Sequence, residues 1–490
     1  MTSIVVHLLL GLSPSLMGAT IIYALIYRAN SWHPGHHLIA IGSGAYLGHL
    51  ILALIMNQLQ SRNLPVFSEW LLAWPIAIVL CCWVLGEIAR QTSKKFVVEI
   101  PIIPPKRQPV RVDQIIGLGA GLWLITIVAF VLYENALRPA VSWDMIQYWT
   151  IDLNAFLQWQ QTNPEEGSVR IGYNHPSTLH LIHIWSAWLG QVTGSATWLL
   201  LPSSALYLGT LLSLLGALWA LTANLNSSIA LVVLVASLPM LTTHAALAGY
   251  AEPWIAGGVL ISIALMQIPT TGKAKIAFAL LWLFLITSFS FWKGESLAYT
   301  AMAIVAIAGA VILSLRQSFL KYGLISAVGI LCGILYFQGF DITFLDGRLA
   351  WLPEENILYL GRRNAKLEII DSLRLASNTY NAWIVNGSFR LSLLALFGAI
   401  FLFVTLKLKE GKVTAATDYA FLLSILLVAF MVLAQGISEY LLATGNASSD
   451  TVFSRASLIA LATATFSASL LIGEQIHRGR TKKSRTPEDL

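Results

Sequence analysis

The chain has 490 residues, of which 57% are apolar and only 11% are Asp, Glu, Lys or Arg, and its mean hydropathy is +0.71. A soluble domain needs roughly 25% charged residues to cover its surface. The composition therefore excludes a soluble enzyme, a disordered chain, a coiled coil and a disulfide-stapled secreted module, and it indicates a protein dissolved in lipid. The net charge of +6 comes from Lys and Arg in short segments between apolar runs, which is typical of membrane topology and not of nucleic-acid binding.

Apolar runs of about 20 residues, the length that spans the hydrocarbon core as a helix, recur along the whole chain. We expect an all-α fold, a polytopic transmembrane helical bundle of about 13 spans. A further run, 179–193, is too short and too polar to cross, since it carries His180 and His183, and we interpret it as a half-membrane or interfacial helix. The thirteen predicted spans are 3–27, 38–56, 70–89, 114–133, 197–222, 229–247, 252–268, 274–292, 296–314, 321–340, 389–406, 418–440 and 455–474.

The basic segments set the predicted orientation, because Lys and Arg are enriched in short cytoplasmic loops. The loop from Arg90 to Asp113 carries six of them and is placed in the cytoplasm. Alternation from this loop puts the later basic connectors on the same side, provided that 179–193 does not cross. Four polar segments then fall together on the outer face, namely 134–196, 248–252, 293–295 and 341–388.

The predicted organisation has four parts. Residues 1–113 hold the N-terminal transmembrane helices and the basic cytoplasmic loop, and residues 114–320 hold a transmembrane core with the first large outer loop, 134–196. Glycines are spread through these apolar helices, where they permit close packing. Apolar residues recur at helical spacing within 145–161, which predicts an interfacial helix in that loop. The remaining parts are 321–476, with C-terminal helices and the outer loop 341–388, and the basic cytoplasmic tail 477–490.

Ionisable residues at the outer helix ends are candidates for a functional site, because a charge at membrane depth is costly and is kept for function. Asp144 follows the fourth span, and Glu252 stands where one predicted helix ends and the next begins. Lys293 and Glu295 precede the span 296–314. Each also has a purely structural reading: Asp144 as a helix cap, either glutamate as a partner of a helix dipole, and Lys293 as an ion-pair or snorkelling residue.

The large outer loops supply further candidates. His175 precedes a proline and either supports the loop or contacts substrate. Arg362 and Arg363 present paired donors suited to phosphate, but the same loop holds six carboxylates, so a solvated mixed-charge surface fits equally well. Together, the outer groups favour an acidic cavity that opens outward. One carboxylate there would remove a proton from an acceptor, and another would position a metal ion or the acceptor.

The motifs of the predicted outer segments, taken in their order along the chain, resemble those of the GT-C glycosyltransferases. These multispanning enzymes include the protein O-mannosyltransferases and the lipid A aminoarabinose transferases. The resemblance covers roughly residues 114–300, and three predicted spans precede the one that would be first in the family. The motifs that carry it are Trp143-Asp144 followed by Tyr148, Asn174-His175-Pro176, Gly249-Tyr250-Ala251-Glu252-Pro253 and Trp292-Lys293-Gly294-Glu295.

The resemblance implies transfer of a sugar from a polyprenyl-phosphate donor to a glycan, lipid or protein acceptor at the outer face, with inversion at the anomeric carbon. It gives Asp144 the role of general base and makes Glu252 the second catalytic carboxylate. The resemblance leaves open whether a divalent metal ion takes part, because Asp144 lacks the acidic neighbour often found in relatives. We expect no other cofactor, and we expect location in a bacterial inner membrane with the site facing the periplasm. The residues expected to contact substrate are Tyr148, His175, Lys293, Glu295, Arg362 and Arg363.

Two other functions stay open at this stage. An O-antigen ligase or polymerase also has many spans and a long late outer loop, and it would depend on Arg362 and Arg363 more than on Asp144. A transporter or lipid flippase would show broken helices and charged residues near the bilayer midplane, often in paired halves. The strongest ionisable candidates instead lie at predicted helix ends on one side, which favours an enzyme.

Overall fold

The computed structural model describes most of the apolar helices and one small sheet. The chain divides into two compact units: unit 1 is Met1–Leu285 with Ile476–Leu490, and unit 2 is Ile286–Gln475. The residues that the structure describes are 2–26, 33–61, 80, 83, 112–137, 178–193, 201–247, 252–268, 273–288, 296–314, 326, 330, 333–344, 347–355, 357–361, 365–368, 372–385, 387–410, 413–434 and 449–484.

The helices follow the apolar runs of the sequence. Those that begin in unit 1 are α1 (Thr2–Ile26), α2 (Pro34–Ser61), α3 (Val112–Leu137), α4 (Thr178–Thr193), α5 (Leu201–Thr222), α6 (Leu225–Ala236), α7 (Pro239–Leu247), α8 (Glu252–Leu265) and α9 (Lys273–Thr287). Those that begin in unit 2 are α10 (Ser296–Ser314), α11 (Ser372–Val385), α12 (Gly387–Glu410), α13 (Ala415–Ala434) and α14 (Ser449–Ser484).

Six of the described helices are long and apolar enough to cross a membrane, and a bent pair brings the number to seven. The multispanning helical fold is thereby confirmed, whereas the count of thirteen spans is not shown. Predicted span 70–89 falls largely outside the described residues, and half of 321–340 does. The six helical segments are Pro34–Met56, Val112–Ala136, Leu201–Thr222, Gly387–Lys409, Ala415–Val432 and Ser457–Gly479, and shorter apolar helices cover Leu10–Ala24, Glu252–Leu265, Ile276–Thr287 and Ala298–Ser314.

Glycines let α2 lie directly against α5. A Cβ atom added to Gly42 would overlap the Gly209 carbonyl, and one added to Gly35 would overlap the Gly216 carbonyl. The two glycines of each helix are seven residues apart, so they recur on one face, and their order shows that the helices run antiparallel. Small residues allow such close backbone approach, on which helix association in lipid depends. The predicted role of glycine in close packing is confirmed here.

A second small-residue face joins α2 to α1. A Cβ added to Gly48 would overlap the Pro14 carbonyl, and one added to Gly18 would overlap the Gly44 carbonyl. Helix α2 therefore packs against the backbone of α5 on one side and against the backbone of α1 on the other. Because this leaves it few ways to shift, α2 provides a fixed frame for the polar side chains that it carries.

The predicted span 229–247 is two helices, α6 and α7, that meet at an angle of 72°. Proline explains the break, since Pro239 has no N–H to donate and is favoured at the first position of a helix. The polar groups at the bend are used within the protein: the Thr242 hydroxyl donates to the Ala236 carbonyl (2.6 Å), and Trp123 Nε1 donates to Ser237 Oγ (2.9 Å).

In unit 2, helices α12, α13 and α14 share an apolar core. The rings of Phe403 and Phe421 stack with their centroids 3.9 Å apart. Next to them, Lys407 Nζ lies 3.1 Å from the carboxylate of Asp418. Glu474 of α14 binds the start of α13, because its Oε1 accepts from the backbone N–H of Thr414 at 2.7 Å. A carboxylate from another helix thus satisfies a donor at the start of α13.

Residues 340–368 form a four-stranded antiparallel sheet that was not predicted from the sequence. Its strands are paired in sequence order, with Phe340 opposite Trp351 and Leu349 opposite Leu360. Helix α11 follows the sheet, and α12 begins two residues after α11 ends. The strands are β1 (Phe340–Phe344), β2 (Gly347–Leu352), β3 (Ile357–Gly361) and β4 (Ala365–Glu368).

Candidate functional site

Glu252 is the predicted site residue that the structure describes. It is the first residue of α8, and its side chain is only 4% exposed. The roles predicted for the other seven residues lie outside the described part of the chain and stay predictions. These residues are Asp144, Tyr148, His175, Lys293, Glu295, Arg362 and Arg363.

The surroundings of Glu252 are unusual for a carboxylate. All 14 residues of α8 are buried, so this helix lies inside the protein, and at about 1.5 Å per residue it is too short to span a bilayer alone. The positive end of the α8 dipole stabilises a first-turn carboxylate by roughly 0.3–1 kcal/mol. Because buried carboxylates are costly, Glu252 remains the strongest described candidate for chemistry.

The hydrogen bonds of Asn135 show at which end of the helical bundle Glu252 lies. With its amide oriented to satisfy both neighbours, Asn135 accepts from Ser204 Oγ (3.1 Å) and donates to the Ala246 carbonyl (2.7 Å). These bonds hold together the last turn of α3, the first turn of α5 and the last turn of α7. Glu252 follows α7 after four residues, so it lies at this same end of unit 1.

Helix α4 packs against this end as well. His183 Nε2 lies 2.9 Å from Ser203 Oγ, one residue from the Ser204 that Asn135 binds. The predicted short helix at 179–193 is present as Thr178–Thr193, and it contacts α1, α2 and α5. From the sequence, the amphipathic rings of Trp149, Trp159, Trp185, Trp188 and Trp198 are expected at the level of the lipid headgroups. Trp185 is instead 0% exposed and packs within the protein.

Sequence reasoning treated His183 only as a sign that 179–193 does not cross, and it passed over Asn135. A signal was available for His183, because a polar residue within an apolar run demands an internal partner. Asn135 instead falls in the polar segment that follows the predicted span 114–133. Periodicity does not say which partner it finds, and the Asn135–Ser204 contact joins residues 69 positions apart.

The described polar groups suit proton transfer and hydrogen bonding to a polar ligand. A carboxylate accepts protons, and imidazole and hydroxyl groups both donate and accept. Within the described residues, no group of three or more His, Cys, Asp or Glu side chains comes together to hold a metal ion. Asp144, at which the resemblance leaves a metal ion open, lies outside these residues.

No family model, curated protein or solved structure matches the chain. Its class therefore follows from its own composition and helices. The chain is a multispanning helical membrane protein. Its activity is a matter for proposal.

Proposed function

We propose that the protein is a membrane glycosyltransferase of the GT-C type. In this proposal it moves a sugar from a polyprenyl-phosphate donor to a glycan, lipid or protein acceptor at the periplasmic face of a bacterial inner membrane. The observation that supports it most is the burial of Glu252 at the start of α8, at the end of unit 1 where Asn135 and His183 are also buried. A lipid-linked donor reaches such a site by diffusing in the bilayer, so no nucleotide-binding domain is needed.

The proposed reaction is a single displacement. Asp144 takes the proton of the acceptor hydroxyl or amine, whose oxygen or nitrogen attacks the anomeric carbon. The bond between that carbon and the phosphate oxygen breaks, and polyprenyl phosphate leaves with the electron pair. Glu252 orients the acceptor or a second part of the substrate. Cations balance the leaving phosphate, and the residues that the resemblance suggests for this role are Lys293 and either Arg362 or Arg363.

The structural alternative is that Glu252 only caps α8. Replacing such a structural carboxylate costs about 1 kcal/mol without touching any chemistry. Loss of sugar transfer in Glu252→Gln at wild-type protein levels would therefore favour the catalytic role.

Deletion of the gene tests the proposal without knowledge of the sugar. We expect mass spectrometry of the cell-envelope glycans and lipids to show one product that has lost a single sugar. An unchanged set of envelope glycans and glycolipids, under conditions in which the protein is expressed, would contradict the proposal.

One observation favours a transporter as the second candidate. The 72° bend between α6 and α7 is the kind of broken helix that transporters use to bind substrates. Such a break exposes backbone carbonyls to an ion or substrate, whereas here the Ala236 carbonyl already accepts from the Thr242 hydroxyl, and the Ser237 hydroxyl accepts from Trp123. Counterflow of a labelled sugar or lipid-linked sugar in proteoliposomes would favour transport, and its absence alongside sugar transfer would favour the enzyme.

A further inference from the structure

His49 is a fully buried histidine to which the sequence analysis gave no role. It lies on α2, is 0% exposed, and its Nδ1 is 2.7 Å from the Ala45 carbonyl one turn earlier. A carbonyl can only accept, so Nδ1 carries the proton and Nε2 presents a lone pair. Within the described part of the chain, this buried Nε2 has no hydrogen-bond partner.

The packing of α2 on α5 shows where His49 lies. Gly35 faces Gly216, and Gly42 faces Gly209, so each step of seven residues along α2 is matched by seven residues back along α5. One further step places His49 opposite Pro202. The next residue, Ser203, is the one whose hydroxyl meets His183. His49 therefore lies at the level of the polar contacts that join α4 and α5.

Helix α8 reaches the same level. The Thr210 hydroxyl donates to Tyr46 Oη (3.2 Å), and a Cβ added to Gly257 would overlap this pair of hydroxyls. The lack of a side chain at Gly257 thus lets the Tyr46 and Thr210 hydroxyls lie against α8. Five residues earlier on α8, about 7.5 Å along its axis, is Glu252, and three residues further on α2 is His49. Both lie on the outer side of the Tyr46–Thr210 contact.

From this arrangement we infer that His49 is a binding residue for the sugar headgroup of a lipid-linked substrate, in a site between α2, α5 and α8 that includes Glu252. The choice of a sugar rests on the proposed function. The chemistry agrees with it, because a lone pair on neutral imidazole accepts from a sugar hydroxyl and repels a phosphate anion. A carboxylate and several side-chain hydroxyls at the same level are further groups that bind polyols.

The direct test observes His49 Nε2 while a sugar is added. Full-length protein labelled with ¹⁵N-histidine is placed in phosphatidylcholine liposomes and studied by solid-state NMR. The His49 signal is assigned by its absence from His49→Gln and, independently, from His49→Leu. We expect octyl glucoside, galactoside or mannoside to shift this Nε2 signal, and a chain-matched polyoxyethylene detergent to leave it in place. His37, exposed on the same helix, is the control signal and should not respond.

Several outcomes would overturn the inference. One is that none of the three glycosides moves the signal. Others are that the polyoxyethylene detergent moves it equally, or that it responds to Mn²⁺ and not to glycosides. A glycoside response without sugar transfer would leave the binding residue standing and count against the proposed enzyme. Sugar transfer without a glycoside response would support the proposed enzyme and count against His49 as a binding residue.

The substitution His49→Leu separates binding from a structural role. It removes the Nε2 acceptor, which has no hydrogen-bond partner within the described residues, so the thermal stability should stay close to that of the wild type. Where transfer is measured, KM for the donor should rise about three- to ten-fold while kcat changes less. A lowered melting temperature with unchanged KM would show that His49 is structural, and would contradict the inference.

Discussion

Gly42 of α2 and Gly209 of α5 face each other so closely that a methyl group on either would overlap the carbonyl oxygen of the other. The pair is repeated seven residues away by Gly35 and Gly216. Because α2 also packs on α1 through Gly44 and Gly48, these contacts hold the frame on which Tyr46 and His49 are placed.

Enlarging Gly42 should therefore separate the two helices. We expect Gly42→Val to destabilise the protein by at least about 1–3 kcal/mol, since backbone atoms cannot make way for a side chain. Thermal melting and the monodisperse fraction after detergent extraction measure this loss. The control is Gly121→Val on α3, because a Cβ at Gly121 would meet nothing within 4 Å. Equal losses in the two variants would contradict the packing account.

The ion pair of Lys407 and Asp418 gives a second prediction. Lys407→Met leaves a carboxylate that is only 5% exposed without its lysine, which should cost about 2–3 kcal/mol. The estimate is at the low end for a buried pair because Lys407 itself is 27% exposed. Replacing both residues, as Lys407→Met with Asp418→Leu, should recover most of the loss.

Lys409 offers the matched control for that ion pair, since it is an exposed lysine on the same helix. We expect Lys409→Met to change the free energy of unfolding by less than about 0.5 kcal/mol. The ion-pair prediction is wrong if the double variant is less stable than Lys407→Met alone.

A third prediction concerns pH. His33 stands just before α2, and its Nδ1 accepts from the Gly35 N–H at 3.1 Å. Burial lowers the pKa of His33 below its ordinary value of 6.5, because desolvation disfavours the charged ring. The unfolded chain then binds the proton more readily than the folded one. The stability from neutral His33 is fully present above about pH 6.5 and is lost as the pH falls towards the folded pKa.

We therefore expect the melting temperature of the wild type to fall between about pH 7.5 and 5.5, and to fall less in His33→Asn. Asparagine does not titrate and keeps an oxygen that can cap the helix. Parallel pH dependences in the two proteins would show that His33 does not contribute.

The sequence predicted the features that depend on local pattern. The apolar runs predicted the helices. The shortness of 179–193 predicted a separate helix that does not cross, and the helix observed there is not among the candidate spans. Glu252 was singled out because it is a charge between two apolar runs, and its place at the start of a buried helix agrees with that interpretation.

Features that depend on distant partners were missed. Trp185 is buried on a helix that contacts α1, α2 and α5, and no periodicity within α4 encodes those partners. The sheet was missed because 341–388 was interpreted by its charges, although Arg348 to Leu352 and Ile357 to Gly361 are two short segments on either side of the turn at 353–355. The lone pair of His49 Nε2 becomes visible only when the ring, the Ala45 carbonyl and the neighbouring helices are seen together.

The central claim is that Asp144 and Glu252 carry out sugar transfer at the outer face. Its most direct test is complementation of the deletion strain, with recovery of the missing sugar measured by mass spectrometry. We expect the wild type and Asp113→Asn, which alters a carboxylate at the opposite end of α3, to restore it. Asp144→Asn and Glu252→Gln should fold and insert normally, yet restore less than about 1% of the product. Full restoration by Asp144→Asn at wild-type protein levels would contradict the account.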